Sequence, residues 1–420
     1  MRRKIREIQS VISEIDNKKR ADLLKLGTCL FLLFFSYPLL RTTTTSILIT
    51  NFGAKASPYA WIYSVLALTF IVILINKLQN LLKSQTLYLL LSGLTSLFFL
   101  TFYFLLNYHS KIWAYPLYVL KEVYIVLLVH SILGHLNASI KEDVAKVVYG
   151  PLGALGSLGG IIGAFLTSFL VKTVGIQTLF LVGISFIFIS NFFFWPTSEV
   201  PSKLQSRNKE KINPIESTKG ARPFILLIAA LVLLGQFIIN IGNYQFNVQL
   251  ADIFASSVDK TEYLGKVYGS INTLSLFIQI TLVPFLFKYV KPFYTHLSIP
   301  LMYGASFLFS LIMGGSLIPI TVTFVIFKGV DYSLFGSAKE LLYFALDDIQ
   351  KYGAKYGADM ITYRLAKGVI SLILIKISPS LTNVLLGVCL VGWIVCLIPL
   401  FKQYKRLHQF QETSNEPNAL

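Results

Sequence analysis

The apolar positions of this chain run in about a dozen unbroken stretches of roughly 18–25 residues, long enough for helices that cross ~30 Å of hydrocarbon. They predict spans over 23–49, 59–76, 86–107, 112–134, 147–171, 176–196, 223–249, 264–287, 294–314, 317–343, 359–378 and 382–401. Ionisable residues interrupt several of them at mid-depth. Glu122 lies inside Pro116–Leu133, and Lys328 and Asp331 lie inside Pro319–Leu342. A charge at the bilayer centre costs at least ~2.5–3.5 kcal/mol on insertion scales, so it faces a partner or a water-filled path. The pattern predicts an all-α polytopic membrane protein built to pass something polar.

The longest polar interruption is Thr197–Arg222, with Pro196 and Pro223 at its edges. It divides the chain into a segment 1–22, a six-helix half over 23–196, a basic linker 197–222, a second six-helix half over 223–402 and a tail 403–420. Six plus six around a basic loop is a major-facilitator-like arrangement, in which the halves are repeats and the substrate site lies near the midplane. Layout alone does not give function. The polar residues must supply it.

Composition sharpens the class. Hydrophobic residues make up 55% of the chain and charged residues 14%, against about 25% charged in a soluble domain. The net charge of +17 invites a nucleic-acid partner, but the placement of the cations argues against one. Arg2, Arg3, Lys4, Arg6, Lys18, Lys19 and Arg20 precede the first span; Lys203, Arg207, Lys209, Lys211, Lys219 and Arg222 fill the linker; Lys402, Lys405 and Arg406 follow the last span. Lys77, Lys83, Lys141, Lys146, Lys288 and Lys291 fall on the same side, and only Lys55, Lys111, Lys172, Lys260 and Lys266 on the other. This positive-inside asymmetry predicts a multi-pass protein of a cell inner membrane with both termini cytoplasmic. Ile5, Ile8, Ile12 and Ile15 recur at helical spacing, as in a surface-lying amphipathic helix or else a solvated tail, and no cleavable leader is visible. Cys29, Cys389 and Cys396 sit in apolar spans without metal-ligand spacing. With no P-loop, nucleophile–base pair or metal cluster, neither catalysis nor a cofactor is expected.

In the first span Pro38 should kink the helix, and Arg41 follows it beside Thr42, Thr43, Thr44 and Thr45. A guanidinium suits a phosphate or carboxylate; alternatively Arg41 snorkels to the interface and the threonines bond their own helix. Glu122 in the fourth span is a candidate for charge balance or proton transfer. Neighbouring Lys121 sits ~100° around the helix, so the two are not expected to share a face. His130, ~80° from Glu122 by the same geometry, reads as hydrogen-bonded packing. Gly150, Gly153, Gly156, Gly159, Gly160 and Gly163 lack the strand and lysine of a phosphate loop and read as close helix packing. Gln236, Asn240, Asn243 and Asn247 recur at four, three and four residues, one face of the seventh span. They either line the pathway or glue helices together.

Lys328 and Asp331 are three apart and able to pair, while Lys339, Tyr343 and Asp347 share a face. Lys339, Lys351, Lys355, Arg364 and Lys367 form a cationic inner mouth or complete the positive-inside pattern. Charge pairs among Lys328, Asp331, Lys339, Glu340 and Asp359 are candidate gates.

At these residues the chain resembles the ATP/ADP translocases of intracellular bacteria and plastids, over most of its length. The similarity runs through the first span to Ile49, Asn76-Lys77-Leu78-Gln79-Asn80, Leu117-Tyr118-Val119 with Glu122, and Val148-Tyr149-Gly150-Pro151-Leu152-Gly153. Tyr332-Ser333-Leu334-Phe335 with Lys339-Glu340, Tyr343 and Leu346-Asp347 is the most distinctive part, followed by Asp359, Arg364-Leu365 and Lys367-Gly368. The resemblance implies nucleotide exchange, with Glu122 and Lys367 at functional positions. Thr44 stands where the family has a lysine and Asn243 where it has a glutamate. Asn247 replaces another lysine, and Asp331 and Gly336 replace a lysine and an aspartate. The expectation is a transporter of a small anionic metabolite such as ATP, ADP or another nucleotide, working by exchange or proton coupling. Its substrate-binding residues would be Arg41, Thr44, Glu122, Asn240, Asn243, Asn247, Arg364 and Lys367. Carriage of another organic anion or amino acid, or a non-transporting receptor role, are the alternatives.

Overall fold

A helix satisfies its own backbone hydrogen bonds where no water reaches it, and every regular element among the described residues is helical. The computed structural model describes residues 16–79, 81–140, 142–198 and 218–415. The isoleucine-spaced N-terminal segment and most of the basic linker lie outside these residues. Ten described helices are long and apolar enough to cross a membrane. We number the helices α1 (Asn17–Phe52), α2 (Ala56–Leu78), α3 (Ser84–Tyr108), α4 (Ala114–Ser139), α5 (Glu142–Phe194), α6 (Arg222–Ile253) and α7 (Ser257–Ile280). Then follow α8 (Leu282–Tyr289), α9 (Pro292–Ile312), α10 (Leu317–Val330), α11 (Gly336–Leu342), α12 (Asp348–Lys355), α13 (Tyr363–Lys376) and α14 (Pro379–Asn415).

Several boundaries differ from the apolar pattern for identifiable reasons. The spans expected at 147–171 and 176–196 run together in α5, broken at Gly175, whose φ of 80° is open to glycine. The expected span 317–343 is α10, a π turn at Asp331–Phe335, α11 and a 3-10 turn. The expected span 359–378 is a π segment, Tyr356–Thr362, leading into the 14-residue α13, and it is not among the ten. Helix α7 starts at Ser257, seven residues before the predicted 264, because its first polar turns have partners. Thr261 Oγ1 lies 2.8 Å from Ser46 Oγ, and Glu262 accepts from Lys172 at 2.7 Å and Lys266 at 2.8 Å.

The chain forms two compact units. The first contains 16–56, 66–198 and Phe254–Asn272. Its core is a cluster from α1, α3, α4 and α5 that includes Leu33, Tyr88, Phe99, Tyr124 and Phe180. Helices α1 and α5 approach backbone to backbone. A Cβ built on Gly159 would lie 2.4 Å from the Phe31 carbonyl oxygen, and one on Gly163 2.3 Å from that of Phe35. Without a hydrophobic force between helices in lipid, such close approach supplies the packing energy. The glycines expected to pack therefore do so at Gly156, Gly159, Gly160 and Gly163, while Gly150 and Gly153 meet nothing within 4 Å.

The second unit contains Ser57–Val65, 218–253 and 273–415. It is arranged around α6, which packs against α10, α13 and α14. Trp393 of α14, 1% exposed, meets Tyr303 and Phe335 edge-on, with ring centroids at 5.8 and 5.1 Å.

The glycine contacts yield a paired prediction. Alanine in a helix normally gains ~1 kcal/mol over glycine, but at Gly163 it should cost roughly 1–3 kcal/mol through overpacking against backbone. Thermal unfolding in detergent should show Gly163→Ala destabilised and Gly153→Ala unchanged or improved. Equal effects at the two positions would refute backbone contact as the source of α1–α5 packing.

Candidate functional site

In the first unit, Pro38 lies within an otherwise continuous α1, and one turn later Arg41 emerges half-buried. Its guanidinium carbon stands 3.8 Å from the centre of the Tyr268 ring and 5.4 Å from that of Tyr37. A desolvated cation over two aromatic faces is stabilised without losing its charge. Snorkelling does not describe this position. The neighbouring threonines do turn inward: Thr42, Thr43 and Thr44 donate to the carbonyls of Pro38, Leu39 and Leu40 at 2.8, 2.7 and 2.6 Å. Thr44, a candidate ligand, is fully buried, with its hydroxyl proton committed to its own helix.

Glu122 on α4 corrects one expectation. Lys121 Nζ donates to Glu122 Oε1 at 2.6 Å, although the two Cβ atoms leave the helix in different directions. The lysine stem is long and flexible enough to wrap around that angle. Lys121 is 1% exposed, and its ammonium also lies 3.8 Å over the Tyr118 ring. The ion pair is set in the first unit's packing. His130 is exposed, contrary to the packing role expected of it. In the first unit His135 is buried instead, with its Nδ1 2.7 Å from Ser84 Oγ.

In the second unit the amide stripe lies along the inner side of α6. Gln236, Asn240 and Asn247 are buried and Asn243 is half-buried. Asn240 Nδ2 donates to the Gln236 carbonyl at 2.7 Å, and Asn247 Nδ2 to Ser57 Oγ at 3.1 Å. Asn247 Oδ1 is buried without a partner, and the Asn243 amide makes no hydrogen bond among the described residues. Bonds from α6 to other helices thus come from Asn247 on the stripe and from Gln245 off it, which donates to Thr382 and Asn383 of α14 at 2.9 and 2.8 Å.

The charged stretch after α10 rearranges more than the sequence suggests. Lys328 and Asp331 form no ion pair within 4.0 Å among the described residues. The helix widens into its π turn at Asp331, which upsets the regular three-residue spacing. Lys328 is 9% exposed, with its ammonium 5.3 Å from the Tyr332 ring. Lys339 pairs with Asp359, and Tyr343 donates to the same carboxylate at 3.1 Å. Glu340 pairs with Lys355 at 2.7 Å. Asp347 does not join the Lys339–Tyr343 face; it caps α12, accepting from Gln350 N at 2.7 Å. Two cations of the expected inner mouth are therefore matched by acids. Arg364 and Lys367 are half-buried on α13, and among the described residues Arg364 has no ion-pair partner.

This arrangement can hold an anion and present amides to a polar solute, and it matches relatives of known kind. The TLC ATP/ADP transporter family matches over residues 1–113 and 304–404. The chain belongs to that family. It is a membrane transporter of nucleotides or similar substrates, in the major-facilitator-like fold. An ADP,ATP carrier of Arabidopsis thaliana chloroplasts is 24% identical over 94% of this chain and 76% of its own length. The solved nucleoside transporter NupG shares the fold with a TM-score of 0.66 at 12% identity, over 91% of this chain and 99% of its own. A bacterial homologue of the iron transporter ferroportin, solved in its inward-facing state, has a TM-score of 0.66 at 12% identity, over 93% of this chain and all of its own.

Sequence reasoning missed Tyr268 and Ser57, because their partners Arg41 and Asn247 lie far away in the chain and no local spacing marks them. The transporter's Lys121–Glu122 pair gives a direct test. Glu122→Gln removes the carboxylate 2.6 Å from a buried ammonium, a change that costs about 3–5 kcal/mol when the partner charge stays buried. The double variant Lys121→Met/Glu122→Gln should recover most of the lost thermal stability in detergent. A double variant less stable than Glu122→Gln alone would show that the pair is not the unit that matters.

Proposed function

We propose that this transporter carries a nucleotide or a related phosphorylated metabolite across a cell inner membrane by alternating access, with both termini cytoplasmic. The observation that carries this reading is the Arg41 guanidinium, held within a span against two aromatic rings. A permanently charged, planar fork inside an apolar helix suits a phosphate or a carboxylate, the two groups it can hold bidentately. The chloroplast relative's name supports the same cargo class.

Arg41, Arg364 and Lys367 are the cations assigned to anionic groups of the cargo. Asn243, and Asn247 through its free carbonyl oxygen, accept or donate hydrogen bonds to the base or sugar. Asn240 backs them from one turn away. Glu122 balances charge through Lys121 or passes a proton. The Lys339–Asp359 and Glu340–Lys355 pairs open and close in the cycle, with Lys328 and Asp331 alongside. Thr44 and Asn243 bring no charge, which favours exchange of cargo with fewer phosphates than ATP.

Counterflow in proteoliposomes checks the assignment. Vesicles preloaded with unlabelled ATP, ADP, GMP, UTP or inorganic phosphate should accumulate the matching labelled solute saturably for at least one nucleotide. Lys367→Ala should abolish that accumulation. Folded protein that accumulates none of the nucleotides would point to another organic anion.

A further inference from the structure

The first half of α7 carries a residue that no local motif marks but that the geometry ties to the anion site. Thr261, Gly265, Tyr268, Gly269 and Asn272 recur at four, three, one and three residues, one face of the helix. That face is seated throughout. Thr261 bonds Ser46 of α1, and Gly265 and Gly269 lie so close to α5 that an added Cβ would stand 2.8 Å from Ala164 O and Phe165 Cε1. Asn272 lies 2.9 Å from the Cβ position of Gly160. Tyr268 falls in the middle of this face, 5% exposed, with its ring 3.8 Å from the Arg41 guanidinium carbon. Two small residues flank it, so α7 can approach closely enough to bring a large ring to that distance.

We propose that Tyr268 is a positioning residue of the anion site: its ring fixes the plane of the Arg41 guanidinium, so that the fork is pre-formed for one phosphate of the cargo. The ring supplies a flat, negative surface that a guanidinium stacks on, fixing orientation without neutralising the cation as a carboxylate would. A flexible arginine would lose its rotamer freedom on binding; one already stacked has lost it in advance. The effect therefore belongs to substrate affinity, not to turnover. The inference rests on Arg41 being an anion ligand, and the experiment separates the two.

The test uses the full-length transporter in proteoliposomes. With whichever nucleotide supports counterflow, or inorganic phosphate if none does, Tyr268→Leu should raise KM about tenfold with little change in maximal rate, the signature of lost uniform binding. Tyr268→Phe keeps the ring and should hold KM near that of the parent. Arg41→Gln combined with Tyr268→Leu should be no worse than Arg41→Gln alone, because the ring acts only through the arginine. In parallel, phenylglyoxal labelling of Arg41, read by peptide mass spectrometry without cargo, should quicken about fivefold in Tyr268→Leu but not in Tyr268→Phe, as expected for a lost cation–π contact. Unchanged labelling in Tyr268→Leu overturns the proposal, as does an additive loss in the double variant. Faster labelling with a normal KM in both Tyr268→Leu and Arg41→Gln retains the stack but overturns its role in binding, and with it the assignment of Arg41 as an anion ligand.

Discussion

A charge that enters an apolar bundle must meet a counter-group there, and the polar architecture of this transporter follows from that constraint. The penalty for an unmatched ion is several kcal/mol, too large for a marginally stable chain to carry repeatedly. Two kinds of partner recur among the described embedded cations. Lys121 and Lys339 meet carboxylates, which cancels their charge. Arg41 and Lys328 also meet aromatic faces, which lower the cost of burying a cation.

Charge matching in turn depends on how closely the helices approach. In the first unit, glycines on α5 and α7 bring backbones together, and this proximity lets Tyr268 reach Arg41 and Glu262 reach Lys172. In the second unit the closeness comes from aromatic interlock around Trp393, and the polar face of α6 is left with an amide at Asn243 and a carbonyl at Asn247 not used by other side chains. One unit offers a stacked cation. The other offers amides and the cations of α13.

The two π segments, Asp331–Phe335 and Tyr356–Thr362, add a local effect. Each inserts extra backbone where charged residues stand, so that side chains three or four apart no longer meet as on a regular helix. Asp331 leaves Lys328, and Asp359 is carried to Lys339 and Tyr343. Widened turns of this kind occur often at functional sites, and here they sit in the stretch where the chain most resembles its family.

The spans, the all-helical class and the membrane setting are determined by the sequence itself, because hydrophobic length is a local property that lipid enforces without reference to other helices. The embedded ionisable residues and the amide stripe were legible for the same reason: one helix's period fixes which of its own residues share a face. Pairing was not. That Lys121 would curl back to Glu122, and that Ser257 rather than residue 264 would begin α7, depended on rotamers and on neighbours distant in sequence. Tyr268 beneath Arg41 shows the limit most clearly. The two residues are more than two hundred positions apart, and only the packing of α7 onto α1 and α5 decides that they touch, since contact between helices is set by the shapes of both surfaces and by neither sequence alone.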